Sequence, residues 1–139
     1  MRILARFRAR PAEDRSLLVA AAWLHVFVAI GLRVAPFRSV SRALHRLARR
    51  RVRPERAESR VVWAVHTVAH VLPGATCLTE AMVAKYFLPR REHELRFGVA
   101  QPSAGGILRA HAWVERDGRT IIGGDTAVAY RALGPAKGY

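Results

Sequence analysis

The chain reads as an α+β domain in which helices come first and a small antiparallel sheet follows. Three observations predict this. Up to Pro89 the apolar residues recur at helical spacing or in unbroken runs, and after Pro89 they alternate at period two. The change falls at a proline, which cannot continue a helix. The 139 residues hold one core, so residues 1–58, helical and Arg-rich, and residues 59–139 are expected to form a single unit.

Residues 1–15, MRILARFRARPAEDR, are an Arg-rich arm broken by Pro11, after which Glu13 and Asp14 suit a helix start. LLVAAAWLHVFVAIGL, residues 17–32, follows without a charge, interrupted only by His25 and Gly31. The run is shorter than the ~20 apolar residues a membrane span needs and stops at Arg33, so it predicts a buried or partner-covered helix. Acids in the leading arm and the lack of a small-x-small cleavage site speak against a signal peptide. Peripheral membrane association is the less favoured reading.

Pro36 separates this helix from RSVSRALHRLARRRVR, residues 38–53, where Val40, Ala43, Leu44, Leu47 and Ala48 predict an amphipathic helix with an Arg face. Ser59 is the expected N-cap of a further helix over 59–72, with Val62, Val65, Ala69 and Leu72 on one side. His66 and His70 stand at i and i+4, but Thr67 occupies the place of the zinc-protease Glu and no third ligand is evident. No metal is therefore expected. Thr76 is the expected cap of CLTEAMVAKYFL, a helix apolar around most of its circumference and ended by Pro89.

Strands are predicted over 94–100, 107–115 and 119–122. A three-residue loop, Arg116-Asp117-Gly118, would set Glu115 opposite Arg119 and His111 opposite Gly123, with Asp125 diagonal to His111 on the same face. A two-residue turn would move Asp125 to the other face unless Gly123-Gly124 forms a bulge.

The net charge is +14, and it is lopsided: residues 1–60 carry 15 Arg against four acids, while the rest of the chain is nearly balanced. Phosphates, anionic lipid and acidic proteins all suit such a charge. With no recognisable DNA- or RNA-binding motif, nucleic acid is not expected as a partner. The single cysteine excludes an internal disulfide and fits a reducing, cytoplasmic setting.

That cysteine, Cys77, falls in the first turn of a predicted helix, where unpaired N–H groups and the macrodipole favour an anion and hence the nucleophilic thiolate. A lone cysteine is more often a small core residue, so its partners decide. His111 is the candidate base and Asp125 the candidate orienting group; Asp117 is the alternative acid, better suited to serving its own turn.

CLTEAMVAKYFLPRR, LRFGV and AHAWVERDGR together resemble the transglutaminase-like cysteine protease superfamily, and within it the stand-alone leader peptidase family of lasso-peptide biosynthesis. The resemblance is strongest over residues 60–125; the Ala/Leu/Val-rich helix, the Pro36-Phe37 step and the Arg-rich helix are similar too. It implies a papain-like core over 59–139, with the cysteine helix packed against a small antiparallel sheet. It implies Cys77 as nucleophile, His111 as general base and acid, and Asp125 as the residue orienting the imidazole, with no cofactor. The reaction would free the core of a ribosomally made precursor peptide for a separate ATP-dependent cyclase. A separate recognition protein would bind the leader, with the basic, apolar front half helping to grip it.

Two other readings stay open. An acyltransferase would use the same triad but pass the thioester to an amine, which product masses would reveal. A non-enzymatic adaptor would bind peptide or lipid through its Arg-rich helix with Cys77 merely packed, and its thiol would label slowly.

Overall fold

Prolines 11, 36 and 89 divide the helical part of the chain, as their fixed φ and missing N–H require. The computed structural model describes residues 2–50, 56–100, 109–124 and 131–135. Five helices, α1 (Arg2–Arg8), α2 (Ala12–Val34), α3 (Phe37–Arg50), α4 (Glu58–Val71) and α5 (Cys77–Phe87), precede β1 (Glu94–Ala100), β2 (Arg109–Arg116), β3 (Arg119–Ile122) and β4 (Arg131–Pro135). The strands form one antiparallel sheet in the order β3-β2-β1-β4. The expected α+β order is therefore observed.

The core forms around α5. Its Ala81, Met82, Val83 and Ala84 meet Val28 of α2, Val61 and Val65 of α4, Leu95 of β1 and Ala112 and Val114 of β2. A helix buried on nearly every side must be apolar on nearly every side, which is the pattern of its sequence. Each fully buried Val or Met side chain contributes about 1.5–3 kcal/mol. Lys85, itself buried, donates through Nζ to the carbonyls of His93 and Arg90 and so holds the loop into β1; burial lowers its pKa.

α2 buries one stripe, Leu17, Ala21, His25 and Val28. His25 Nδ1 donates to the Ala21 carbonyl at 2.9 Å, and burial pushes its pKa down, favouring the neutral ring. At Gly31 a Cβ would stand 3.1 Å from a Val40 methyl, so glycine allows α3 to pack close. The opposite face of α2 is open to solvent.

Several expectations need correction. The apolar run 17–32 lies inside a 23-residue helix that is, by length and composition, able to cross a membrane, although a minority of its apolar window is buried. The Arg-rich arm contains α1. The N-cap of α4 is Ala57, without a side-chain cap bond, instead of Ser59. The hairpin turn has two residues: Asp117 at φ 51° and Gly118 at φ 74° are both left-handed, as an Asp-Gly type I′ turn requires. Arg119 consequently pairs with Arg116, and Glu115 with Thr120. The next pair is Val114 with Ile122, so Ile121 is an extra residue and forms a bulge two positions earlier than the anticipated Gly123-Gly124. β4 was not anticipated.

A tertiary ion cluster explains where α4 begins. Glu58 Oε2 receives His93 Nε2 at 2.6 Å and Arg116 Nη1 at 2.7 Å, tying α4 to the start of β1 and the end of β2. The hydrogen bond from His93, helped by Arg116 and opposed by burial, holds the Glu58 carboxyl below its ordinary range. Its stabilisation is thus complete above the unfolded glutamate value of ~4.3 and is lost as pH falls through the lower folded value. Glu58→Gln should flatten that acid limb, as read from urea unfolding at a series of pH values.

Candidate functional site

Thr76 leaves the preceding loop with extended dihedrals, φ −116° and ψ 163°. Its Oγ1 accepts from the Thr79 N–H at 3.2 Å, while Thr79 Oγ1 accepts from the Thr76 N–H at 2.8 Å. This reciprocal capping box uses Thr where Glu or Gln is more usual, and it makes Cys77 the first helical residue. The box satisfies Thr76 and Thr79; the N–H groups of Cys77 and Leu78 have no acceptor within a helix's first turn. Two donors and the positive end of a dipole therefore lie in the turn that carries Cys77. The thiol is free and half-buried, packed at the margin of the core. Removal of the cap by Thr76→Ala should cost about 1 kcal/mol, with Thr76→Ser keeping most of it, measured as a shift in Tm.

His111 is half-buried on β2, and its Nε2 donates to the carbonyl of Gly123. A carbonyl only accepts, so Nε2 carries the proton and a neutral ring holds its lone pair on Nδ1. Two residues along the strand, Trp113 lies nearly parallel to the imidazole, with centroids 6.0 Å apart and planes at 19°. Trp113 Nε1 donates to Glu115 Oε1 at 2.7 Å, and Glu115 Oε2 lies 3.1 Å from Arg96 Nε on β1. The row His111, Trp113, Glu115 is thus locked along its length, while Ala112 and Val114 alternate into the core with α5.

β3 pairs with β2 only as far as Val114, and Gly123, the first residue after β3, lies against Ala112 and Trp113 and presents its carbonyl to His111. Gly123 has φ 81°, and a Cβ there would stand 2.8 Å from the Ala112 carbonyl oxygen and 3.1 Å from Trp113 Cα. Only glycine fits where the His111 acceptor is presented.

The structure places Cys77 at the start of the helix that packs on β2, and His111 within that strand, opposite Gly98 of β1. Asp125 lies outside the described residues. Asp117 is far from the ring: five steps along the strand, about 17 Å, lead from His111 to Arg116, and the Asp117 side chain is 88% exposed in the turn. It serves the turn, where Arg116 Nε approaches it at 3.7 Å.

His66 and His70 both have partners. His66 Nδ1 lies 2.9 Å from Glu80 Oε1, and His70 Nδ1 donates to the His66 carbonyl at 3.0 Å. Among the described residues no group of three or more His, Cys, Asp or Glu is arranged to hold a metal ion. Sequence reading missed the His66–Glu80 link, which joins α4 to the first turns of α5. It also missed the Trp113–Glu115–Arg96 row and the Gly123 carbonyl. Only the last had a signal: paired glycines just beyond a short strand mark a backbone doing what side chains cannot.

The pattern of the transglutaminase-like superfamily matches residues 8–134, a span that takes in both the thiol and the imidazole. The chain belongs to the transglutaminase-like superfamily. A transglutaminase-like domain with a first-turn cysteine and a strand histidine has the parts for cysteine-protease or acyltransferase chemistry. The match runs from the end of α1 into β4, so the basic front helices fall within the transglutaminase-like region. Neither a curated protein nor a solved structure is significantly similar to the chain.

Proposed function

We propose that this transglutaminase-like protein is a cysteine peptidase that removes the leader from a lasso-peptide precursor, with Cys77 as nucleophile, His111 as base and acid, and Asp125 orienting the imidazole. The observation that carries the reading is the first-turn thiol set by the Thr76–Thr79 box. The narrower substrate assignment rests on the likeness of CLTEAMVAKYFLPRR, LRFGV and AHAWVERDGR to the leader peptidases.

In the proposed reaction, His111 Nδ1 takes the thiol proton and Cys77 Sγ attacks the scissile carbonyl. The Cys77 and Leu78 N–H groups stabilise the oxyanion, acting where charge develops. The imidazolium then protonates the leaving amine, the amine of the core peptide departs, and the leader remains as a thioester. His111 deprotonates a water that hydrolyses this thioester and restores the thiol. Throughout, the Nε2–H bond to Gly123 keeps the ring in one tautomer. Asp125, two residues beyond Gly123, is the proposed anionic partner of the imidazolium. A leader-recognition protein presents the substrate, and an ATP-dependent cyclase consumes the freed amine.

The test is mass spectrometry of a lasso precursor incubated with its recognition protein and either the intact chain or Cys77→Ala. Release of free leader acid and core peptide by the intact chain alone is expected. Leader found attached to an added amine would assign acyl transfer instead, and intact precursor in both samples would overturn the peptidase reading.

A further inference from the structure

Among the described residues, nothing covers the outer face of α2. Val19, Trp23, Val26, Phe27, Ile30 and Val34 recur at steps of three and four residues and are all exposed, with Trp23 at 70% and Val34 at 79%. At 1.5 Å per residue they make a stripe about 22 Å long. At its N-terminal end Val19 also lines a groove of about 410 Å³ between α1, α2 and α4, where Phe7, Leu18 and Val71 are joined by Arg6 and Arg10. A contiguous apolar surface of this kind marks an interaction site.

The charge around it states the partner's sign. Residues 1–54 contain 13 Arg and only two acids, Glu13 and Asp14, and both acids are engaged by Arg60. Of the Arg residues of α2 itself, Arg15 precedes the stripe and Arg33 stands just before its last residue, Val34; no charge falls between Val19 and Ile30. A protein recognised by charge would meet cations within the patch; here the apolar strip from Val19 to Ile30, with Trp and Phe, carries no charge and belongs to a strongly basic segment. That is the layout of a helix lying in a lipid interface.

We propose that the outer face of α2 docks in the plane of an anionic lipid bilayer. Insertion stops at one face, because Leu17, Ala21, His25 and Val28 on the other are held in the core and would be uncovered if the helix crossed the membrane.

The experiment is flotation of the full chain with vesicles of phosphatidylglycerol and phosphatidylcholine, 3:7, and with phosphatidylcholine alone. Each Arg near an anionic surface adds roughly fivefold to partitioning, so strong preference for the anionic vesicles, weakened by 0.5 M salt, is expected. The variant Trp23→Ser/Phe27→Ser/Ile30→Ser alters only exposed positions, and circular dichroism checks that it folds; its partitioning should fall at least tenfold. In the unsubstituted chain, brominated acyl chains should quench tryptophan emission. Failure of the folded chain to float with anionic vesicles, equal flotation with phosphatidylcholine, undiminished flotation of the folded triple variant, or absence of quenching would each overturn the proposal. None of these readouts depends on peptidase activity.

Discussion

Cys77→Ala is expected to lower leader release by at least about a thousandfold, and His111→Ala by a similar factor, because each removes a member of the proposed catalytic unit. For the same reason the double variant should be scarcely worse than either single one. Asp125→Ala should be milder, since the Gly123 carbonyl and the neighbouring Trp113 still hold the His111 ring. Cys77 is only half-buried at the helix start, so its truncation should leave the Tm nearly unchanged, which separates lost chemistry from lost folding. Single-turnover rates, measured with the recognition protein saturating, test the ranking. Equal and small losses in all three variants would rule out the triad.

Gly123→Ala should cause the largest loss of stability, about 2–4 kcal/mol. The residue is left-handed at φ 81°, which strains any L side chain, and the added Cβ would run into the β2 backbone, at the Ala112 oxygen and at Trp113 Cα. Neither neighbour is a flexible side-chain end, so the strand must shift. That shift carries away the carbonyl that receives His111 Nε2, so activity should fall with stability. Gly124→Ala provides the contrast. Its Cβ would stand 3.1 Å from the Thr120 methyl, a side chain able to move, and a smaller loss is expected. Urea unfolding of the two variants decides the matter; a Gly123→Ala loss below that of Gly124→Ala would refute the account.

The α5 helix was readable because three local signals agreed: Thr76 before it, an apolar circumference within it, and Pro89 after it. The alternation of β1 and β2 was equally local. The hairpin was misread although its letters were present, because Asp-Gly suits a two-residue type I′ turn better than a three-residue loop. The compensating bulge at Ile121 had no signal in its own sequence, since bulges answer to the packing of the paired strand. The start of α4 moved from Ser59 to Ala57–Glu58 for a similar reason: Glu58 is claimed by His93, 35 residues away, and by Arg116, 58 residues away.

By itself the sequence determined the order of helices and strands, the first-turn position of the only thiol and the basic character of the front half, all of which follow from spacing and composition within a short window. The tertiary structure decided which face of α2 is covered, which backbone atom holds the His111 ring, and that Asp117 is too far away to serve it. These depend on contacts between residues distant in the chain, whose cost in chain entropy is met only when the whole core assembles around α5.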